Sequence, residues 1–305
     1  MAVTATHKLL VVISGPTAIG KTLLSIELAK HFNTAVISAD SRQFYKEMQI
    51  GTARPTEEEL QGVLHYFLGS HSIKNEINAN DYEKEVLELL DKLFITQDVV
   101  LMCGGSGFYV DAVCNGFDNE IPPSDEKLKQ ELSSKTIEQL QIQLKELDPE
   151  YFEMVDTQNP VRLIRAIEVC LLTGKKYSEL RKGTKAERPF KILKIALNQD
   201  REVLYQKINE RVIKMIENGL EAEARNLMEF QHLTPLQTVG YQEFFSYFKK
   251  ELSLTETIEK IQQNTRKYAK RQLTWLRRDD EYHWFAPNQV EEIKELINKS
   301  KGYFV

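Results

Sequence analysis

The stretch "KLLVVISGPTAIGKTLLSIELAKHF", Lys8 to Phe32, decides the fold. Its first seven residues read as a strand, and Leu9 to Ile13 within them are a continuous apolar run, as a strand buried on both faces requires. The octet "GPTAIGKT", Gly15 to Thr22, follows with the spacing G-x-x-x-x-G-K-T. Beyond it, Leu23, Leu24, Ile26, Leu28 and Ala29 recur at helical spacing. Strand, glycine-rich loop and helix in this order form a phosphate cradle. The glycines let successive backbone N–H groups converge on an anion at a helix N-terminus. Lys21 adds a full positive charge, and the Thr22 hydroxyl can ligate Mg²⁺. Gly15, Pro16, Thr17, Ala18, Ile19, Gly20, Lys21 and Thr22 are therefore the candidate phosphate-binding residues.

Outward from this stretch the alternation continues. "TAVISAD" reads as a second strand ending at Asp40, "DYEKEVLELLDKLF" as a helix, and "DVVLMC" (Asp98 to Cys103) as another strand. Short apolar strands alternating with helices predict an α/β fold, a P-loop parallel sheet with helices on both faces. After "GGSGFYVDAVCNGFD" the pattern turns helical and polar, interrupted by Pro122, Pro123, Pro149 and Pro160. "FKILKIALN" (Phe190 to Asn198) then restores a strand, and "YHWFAP" offers a last one. The expected organisation is a core in two parts, residues 1–114 and 189–305, with a helical insertion over 115–188.

Composition narrows the class. With 305 residues, 42% of them hydrophobic and 28% charged, the chain can bury a full core and is not disordered. A net charge of −5 gives no global attraction to nucleic acid, so such binding has to come from a local basic surface. Cys103, Cys114 and Cys170 lie far apart without a C-x-x-C pair, which predicts reduced, buried thiols rather than zinc or disulfides. The start has no signal-peptide pattern, and no run reaches the ~20 apolar residues of a membrane span. A soluble, cytoplasmic protein is expected, and nothing in the sequence asks for more than a monomer.

Two further features bear on chemistry. A nucleoside-triphosphatase holds its metal with an Asp after a later apolar strand, but "DVVLMC" runs straight into "GGSGFY". The acid that does follow a strand is Asp40, in "ISADSRQFY"; it reads equally as a turn-capping residue or as a base opposite the cradle. Near the other end, "NTRKYAKRQLTWLRRD" concentrates Arg266, Lys267, Lys270, Arg271, Arg277 and Arg278 on neighbouring helical stripes. A solvated face is the ordinary reading of such a run; in an acidic protein it also suits a phosphodiester backbone. Arg162 and Arg165 in "NPVRLIRAIEV" share a face, or are surface arginines flanking Leu163, Ile164 and Ile167.

Together, "GPTAIGKT", "ISADSRQFYKEMQIGTARPT", "GGSGFY", "NPVRLIRAIEV", "VGYQEF" and "TRKYAKRQLTWLRR" closely resemble the tRNA dimethylallyltransferases, or tRNA isopentenyltransferases, over nearly the whole chain. The P-loop alone is unspecific; the D-S-x-x-x-Y-x-x-M-x-I-G-T-A-[KR]-P stretch is very specific. Ser106 departs from the Thr usual in the family but keeps a hydroxyl. The absent zinc finger fits a bacterial-type member.

The resemblance implies a P-loop core with an inserted helical domain that binds tRNA. It implies that the cradle holds the diphosphate of dimethylallyl diphosphate, with Mg²⁺ at Thr22, and that the prenyl group passes to the exocyclic amine of the adenosine just 3′ of the anticodon. Asp40 matches the family's catalytic Asp. Arg211, in "INERVIKM", matches an arginine serving the diphosphate, its ordinary reading being a surface arginine beside Ile208, Val212 and Met215. Thr17 carries over as a contact near the reacting centre. The tRNA contacts carry over to Asp40, Ser41, Arg42, Gln43 and Ser106; to Val161, Arg162, Leu163, Ile164 and Arg165; and to Gln237, Thr238, Val239, Gly240, Tyr241 and Gln242. The rival enzyme class is an ATP-binding kinase of a nucleotide or small molecule, which the P-loop alone permits. A P-loop RNA binder without turnover is disfavoured by Asp40 and Arg211 both being present.

Overall fold

A computed structural model describes residues 8–118, 121–181, 183 and 185–301. The chain divides into two compact units, one running to Cys114 and resuming at Arg188, the other Asn115–Glu187.

The larger unit begins with β1 (Leu9–Ser14), α1 (Lys21–Phe32), β2 (Val36–Ser38), α2 (Glu57–Leu60), β3 (His65–Tyr66), α3 (Ala79–Leu93), β4 (Val99–Gly104) and α4 (Gly107–Asn115). The smaller unit holds α5 (Glu126–Ser133), α6 (Ile137–Leu147), α7 (Pro149–Met154), α8 (Pro160–Thr173) and α9 (Tyr177–Leu180). The larger unit resumes with β5 (Lys191–Leu197), α10 (Arg201–Glu217), α11 (Leu220–Asn226), α12 (Tyr241–Phe248), α13 (Leu254–Leu276), β6 (Tyr282–Phe285) and α14 (Val290–Lys301).

The six strands form one sheet in the order β3-β2-β4-β1-β5-β6, every pair parallel. β1 lies inside it, Leu9 opposite Val99 on one side and Lys191 on the other. Its side chains alternate between faces as strand geometry dictates. Leu10 and Val12 join the core under α3, with Tyr82, Val86 and Leu90. Leu9, Val11 and Ile13 join the core under α1 and α14, with Leu24, Leu28, Ile293 and Ile297. Burial on both faces is why the strand reads as uninterrupted apolar sequence. The two-residue β3, too short to carry a period, is absent from the sequence reading. Arg188 belongs to this unit: it donates to the Val113 and Ala112 carbonyls and pairs with Glu83 at 2.5 Å.

In the smaller unit Leu132, Leu140, Leu144, Tyr151, Leu163, Ala166 and Ile167 form the core. Pro149 and Pro160 open α7 and α8 at positions where the missing N–H is harmless. Asp148, fully buried, caps α7 through the Tyr151 N–H and accepts from the Ser178 N–H and hydroxyl at 2.7 and 2.8 Å. Cys114 and Cys170 are buried and Cys103 half-buried; all three are free thiols. Among the described residues no helix is long and apolar enough to cross a membrane.

Candidate active site

Parallel sheets gather ligands outside the carboxyl ends of their strands. Here β1 leads into the glycine-rich loop, β2 into Ala39–Asp40, and β4 into "GGSG". Gly20 caps α1 with φ 104°, and Gly15 has φ 155° with no room for a Cβ, which would lie 3.1 Å from the Leu197 carbonyl oxygen. Lys21 curls over the loop and donates to the Gly15 and Pro16 carbonyls, each at 2.9 Å. Burial lowers its pKa to about 8, against opposing pulls from Cys103 and Asp40, with Arg211 adding to the drop. Lys21, Asp40 and Arg211 thus share one electrostatic environment.

Asp40 caps a turn and also lines a cavity. One carboxyl oxygen accepts the Arg42 N–H at 3.1 Å, closing the turn after β2, and the residue lines a cavity of about 400 Å³ in the larger unit. Thr17, Ser41, Arg42 and Arg211 share that cavity, as do Gln237, Thr238, Val239, Gly240 and Gln242. Its apolar wall is made by Ile208, Val212, Met215 and Ile261. Arg211 is half-buried at this cavity: burial lowers its pKa, Asp40 and Glu59 oppose that, and Nη2 donates to the Thr52 carbonyl at 3.2 Å.

Ser106 ties two strand ends together. Its hydroxyl accepts the Ser41 N–H at 3.0 Å and lies 3.1 Å from the Ser41 hydroxyl, while its own N–H donates to Ala39 O. The glycines around it are steric requirements. A Cβ on Gly104 would overlap the Ala39 backbone, one on Gly105 the Gln272 amide, and one on Gly107 the Trp275 ring. Gln43 turns away from the cavity and donates to the Thr52 and Ala53 carbonyls at 3.1 and 3.2 Å.

Several residues expected at a tRNA surface prove to be structural side chains. Tyr241 is fully buried, and its hydroxyl donates to Glu223 at 2.6 Å. Burial, reinforced by the Glu223 charge, raises its pKa and keeps the hydroxyl a donor. Leu163 is 0% exposed at the centre of the smaller core, and Ile164 packs against it. Arg165 pairs with Glu168 at 2.5 Å and donates to Pro122 O. The helical period leaves Val161, 74% exposed, and Arg162 as the outward side chains of that segment.

On α13, Arg266 is held by Asn209 at 2.6 Å, and Arg271 stacks on Tyr268 at the cavity. Lys267, Lys270 and Arg277 are exposed. Sequence reasoning missed Gln272, which is 7% exposed on the inward face of the same helix. Its Oε1 accepts the Thr17 N–H at 2.8 Å and its Nε2 donates to Gly105 O at 2.9 Å, joining the phosphate loop to the β4 loop. The available signal was a polar residue three after buried Ala269 and four before buried Leu276. Tyr268 lines the same cavity beside Asp40; burial raises its pKa, and a hydrogen bond with Ser106 opposes the rise.

Among the described residues no cluster of three His, Cys, Asp or Glu side chains could hold a metal. Thr22 is the second residue of α1, so its hydroxyl is a ligand available at the end of the loop. A single hydroxyl suits a hard divalent ion whose other oxygens come from a phosphorylated ligand and water.

The IPP transferase family model matches residues 43–279. The tRNA dimethylallyltransferase 1 of Bacteroides thetaiotaomicron is 47% identical over 292 residues, covering 94% of each chain. The tRNA dimethylallyltransferase of Cytophaga hutchinsonii is 48% identical over 295 residues, covering 95% of this chain and 97% of its own. The crystal structure of the tRNA isopentenylpyrophosphate transferase from Bacillus halodurans superposes with a TM-score of 0.73 at 34% identity, over 96% of this chain and 97% of that one.

Proposed function

The chain belongs to the IPP transferase family, the tRNA dimethylallyltransferases, and we propose that its cavity is where dimethylallyl diphosphate and a tRNA adenosine meet. The enzyme transfers a dimethylallyl group to tRNA. In our reading the acceptor is the exocyclic N6 amine of the adenosine immediately 3′ of the anticodon, and diphosphate leaves. The observation that carries this is one cavity combining Asp40, the mouth of the phosphate loop at Thr17, Arg211 and the apolar wall of Ile208, Val212, Met215 and Ile261.

Diphosphate sits in the loop formed by Gly15, Pro16, Thr17, Ala18, Ile19, Gly20, Lys21 and Thr22, and the five-carbon chain lies on the apolar wall. The adenine amine is a weak nucleophile, and Asp40 accepts its proton as the N–C bond forms. The C–O bond to diphosphate breaks with the electron pair on oxygen, and Lys21 and Arg211 stabilise that charge. Mg²⁺ on Thr22 would add further charge neutralisation to the diphosphate. The base leaves its stack to enter the cavity. Ser41, Arg42, Gln237, Thr238, Val239, Gly240 and Gln242 line its path, with Ser106 bracing Ser41; on the smaller unit, taken by itself, Val161 and Arg162 are the exposed side chains offered to tRNA. We further propose that the enzyme acts as a monomer, in the cytoplasm where its substrate tRNA is found.

The rival kinase reading finds no carboxylate after β4, where Gly104, Gly105 and Ser106 stand instead. Incubation with carbon-labelled dimethylallyl diphosphate and, separately, γ-labelled ATP separates the two. Donor label in tRNA and none from ATP is expected; γ-phosphate in any product without prenylated tRNA overturns the proposal.

A further inference from the structure

Residues 49–54 form a tight turn beside the cavity, and what holds it lies on another element. Glu223, half-buried on α11, accepts the N–H groups of three successive residues: Gln49 at 2.9 Å, Ile50 at 2.8 Å and Gly51 at 2.9 Å. Its fourth donor is the Tyr241 hydroxyl at 2.6 Å. Gly51 allows this approach, since a Cβ there would lie 2.6 Å from the Tyr241 ring. Such a nest of amides is what loops present to anions; here a carboxylate of the protein itself fills it. The next residue, Thr52, lines the cavity, and its carbonyl accepts Arg211 Nη2 at 3.2 Å and Gln43 Nε2 at 3.1 Å. Among the described residues the Thr52 contact is the single hydrogen bond of the Arg211 guanidinium.

We propose that Glu223, through the amides of Gln49–Gly51 and the carbonyl of Thr52, is a positioning residue that aims Arg211 into the cavity. The inference rests on the role given above to Arg211 at the departing diphosphate. It reassigns Tyr241 from a tRNA contact to the anchor of this carboxylate. Four donors converge on the carboxylate, so an amide in its place turns its own N–H₂ towards N–H or O–H groups. The turn must then shift to relieve the mismatch. A displacement of Thr52 passes directly to the guanidinium, whose alignment matters for the transition state more than for initial binding. A purely structural carboxylate would instead lower stability without singling out one substrate.

The test is a double-mutant cycle on the full-length enzyme. Glu223→Gln is expected to lower kcat/KM for dimethylallyl diphosphate on the order of 10- to 100-fold, with KM for tRNA changed less than about 2-fold. In an Arg211→Gln background the same substitution is expected to cost less than about 2-fold, because its target is already gone. Tyr241→Phe, which removes one donor and keeps the ring, should lower the same parameter about 3- to 10-fold, and it carries the cycle if Glu223→Gln does not fold. Equal penalties in both backgrounds, or a lowered melting temperature with wild-type kinetics, overturn the inference. Arg211→Gln with wild-type kcat/KM overturns the role of Arg211 itself, and is recognised from that single variant.

Discussion

Replacing Gln272 by Leu tests whether the phosphate loop is held in place from α13. Leu removes the polar atoms and, branching one carbon nearer the backbone than Gln, leaves only a small void, so the loss of two hydrogen bonds dominates. The Thr17 N–H loses an acceptor at 2.8 Å and Gly105 O loses a donor at 2.9 Å. Gln272 is 7% exposed, so water replaces these partners poorly. Each orphaned backbone group costs about 1–3 kcal/mol, and partial relaxation of the loop makes about 2–4 kcal/mol a reasonable sum. For a chain of this size that is a fall of roughly 3–6 °C in melting temperature. Function should fall further than stability, because Thr17 opens on the reaction cavity and a misplaced loop loses alignment. A loss of about 10- to 100-fold in kcat/KM for dimethylallyl diphosphate is expected, with tRNA affinity by filter binding unchanged within about 2-fold. Gln272→Glu keeps the acceptor for Thr17 but sets a carboxylate against Gly105 O, so it should be no better than Leu. Wild-type kinetics in a destabilised Leu variant would refute the link.

Asp40→Asn keeps an oxygen for the Arg42 N–H and so preserves the turn; turnover should fall about 10²- to 10⁴-fold with little change in tRNA affinity, and equal losses in both would assign Asp40 to positioning. Lys21, at about 8 in the free enzyme, gains proton affinity beside a bound diphosphate. Below about 8 it is charged both free and bound, whereas above it binding must take up a proton. Diphosphate affinity measured by calorimetry should therefore weaken by up to about tenfold per pH unit above about 8 relative to Lys21→Arg, and parallel profiles for the two proteins would contradict this. Neutralising Lys267 and Lys270 together should reduce the salt dependence of tRNA binding by about one to two charges, and an unchanged slope would remove that face of α13 from the interface.

What the sequence disclosed depended on how local each signal was. β1, the glycine loop and α1 were legible because strand run, motif and helical period agree over 25 consecutive residues. Asp40 was legible as a residue but not as a choice between turn cap and base; it closes a turn and lines the cavity, a position compatible with the proposed base. Leu163 and Tyr241 were over-read because a resemblance arrives as contiguous blocks, whereas a helix turns side chains inward every three or four residues. Arg211 could be placed by resemblance alone, since the residues beside it read as ordinary packing until α10 is seen to face the cavity. Glu223 gave no signal: "LEAEARN" reads as a solvated helix, and its three amide partners lie more than 170 residues away.

The central claim is that a prenyl group, not a phosphoryl group, crosses this cavity to a tRNA base. Purified enzyme, unmodified tRNA and deuterated dimethylallyl diphosphate, followed by nuclease mapping and mass spectrometry of the fragments, test it directly. The account predicts the deuterated group on the exocyclic amine of the adenosine immediately 3′ of the anticodon, abolished by Asp40→Asn. Label on another base, or tRNA left unlabelled while ATP is consumed, would contradict it.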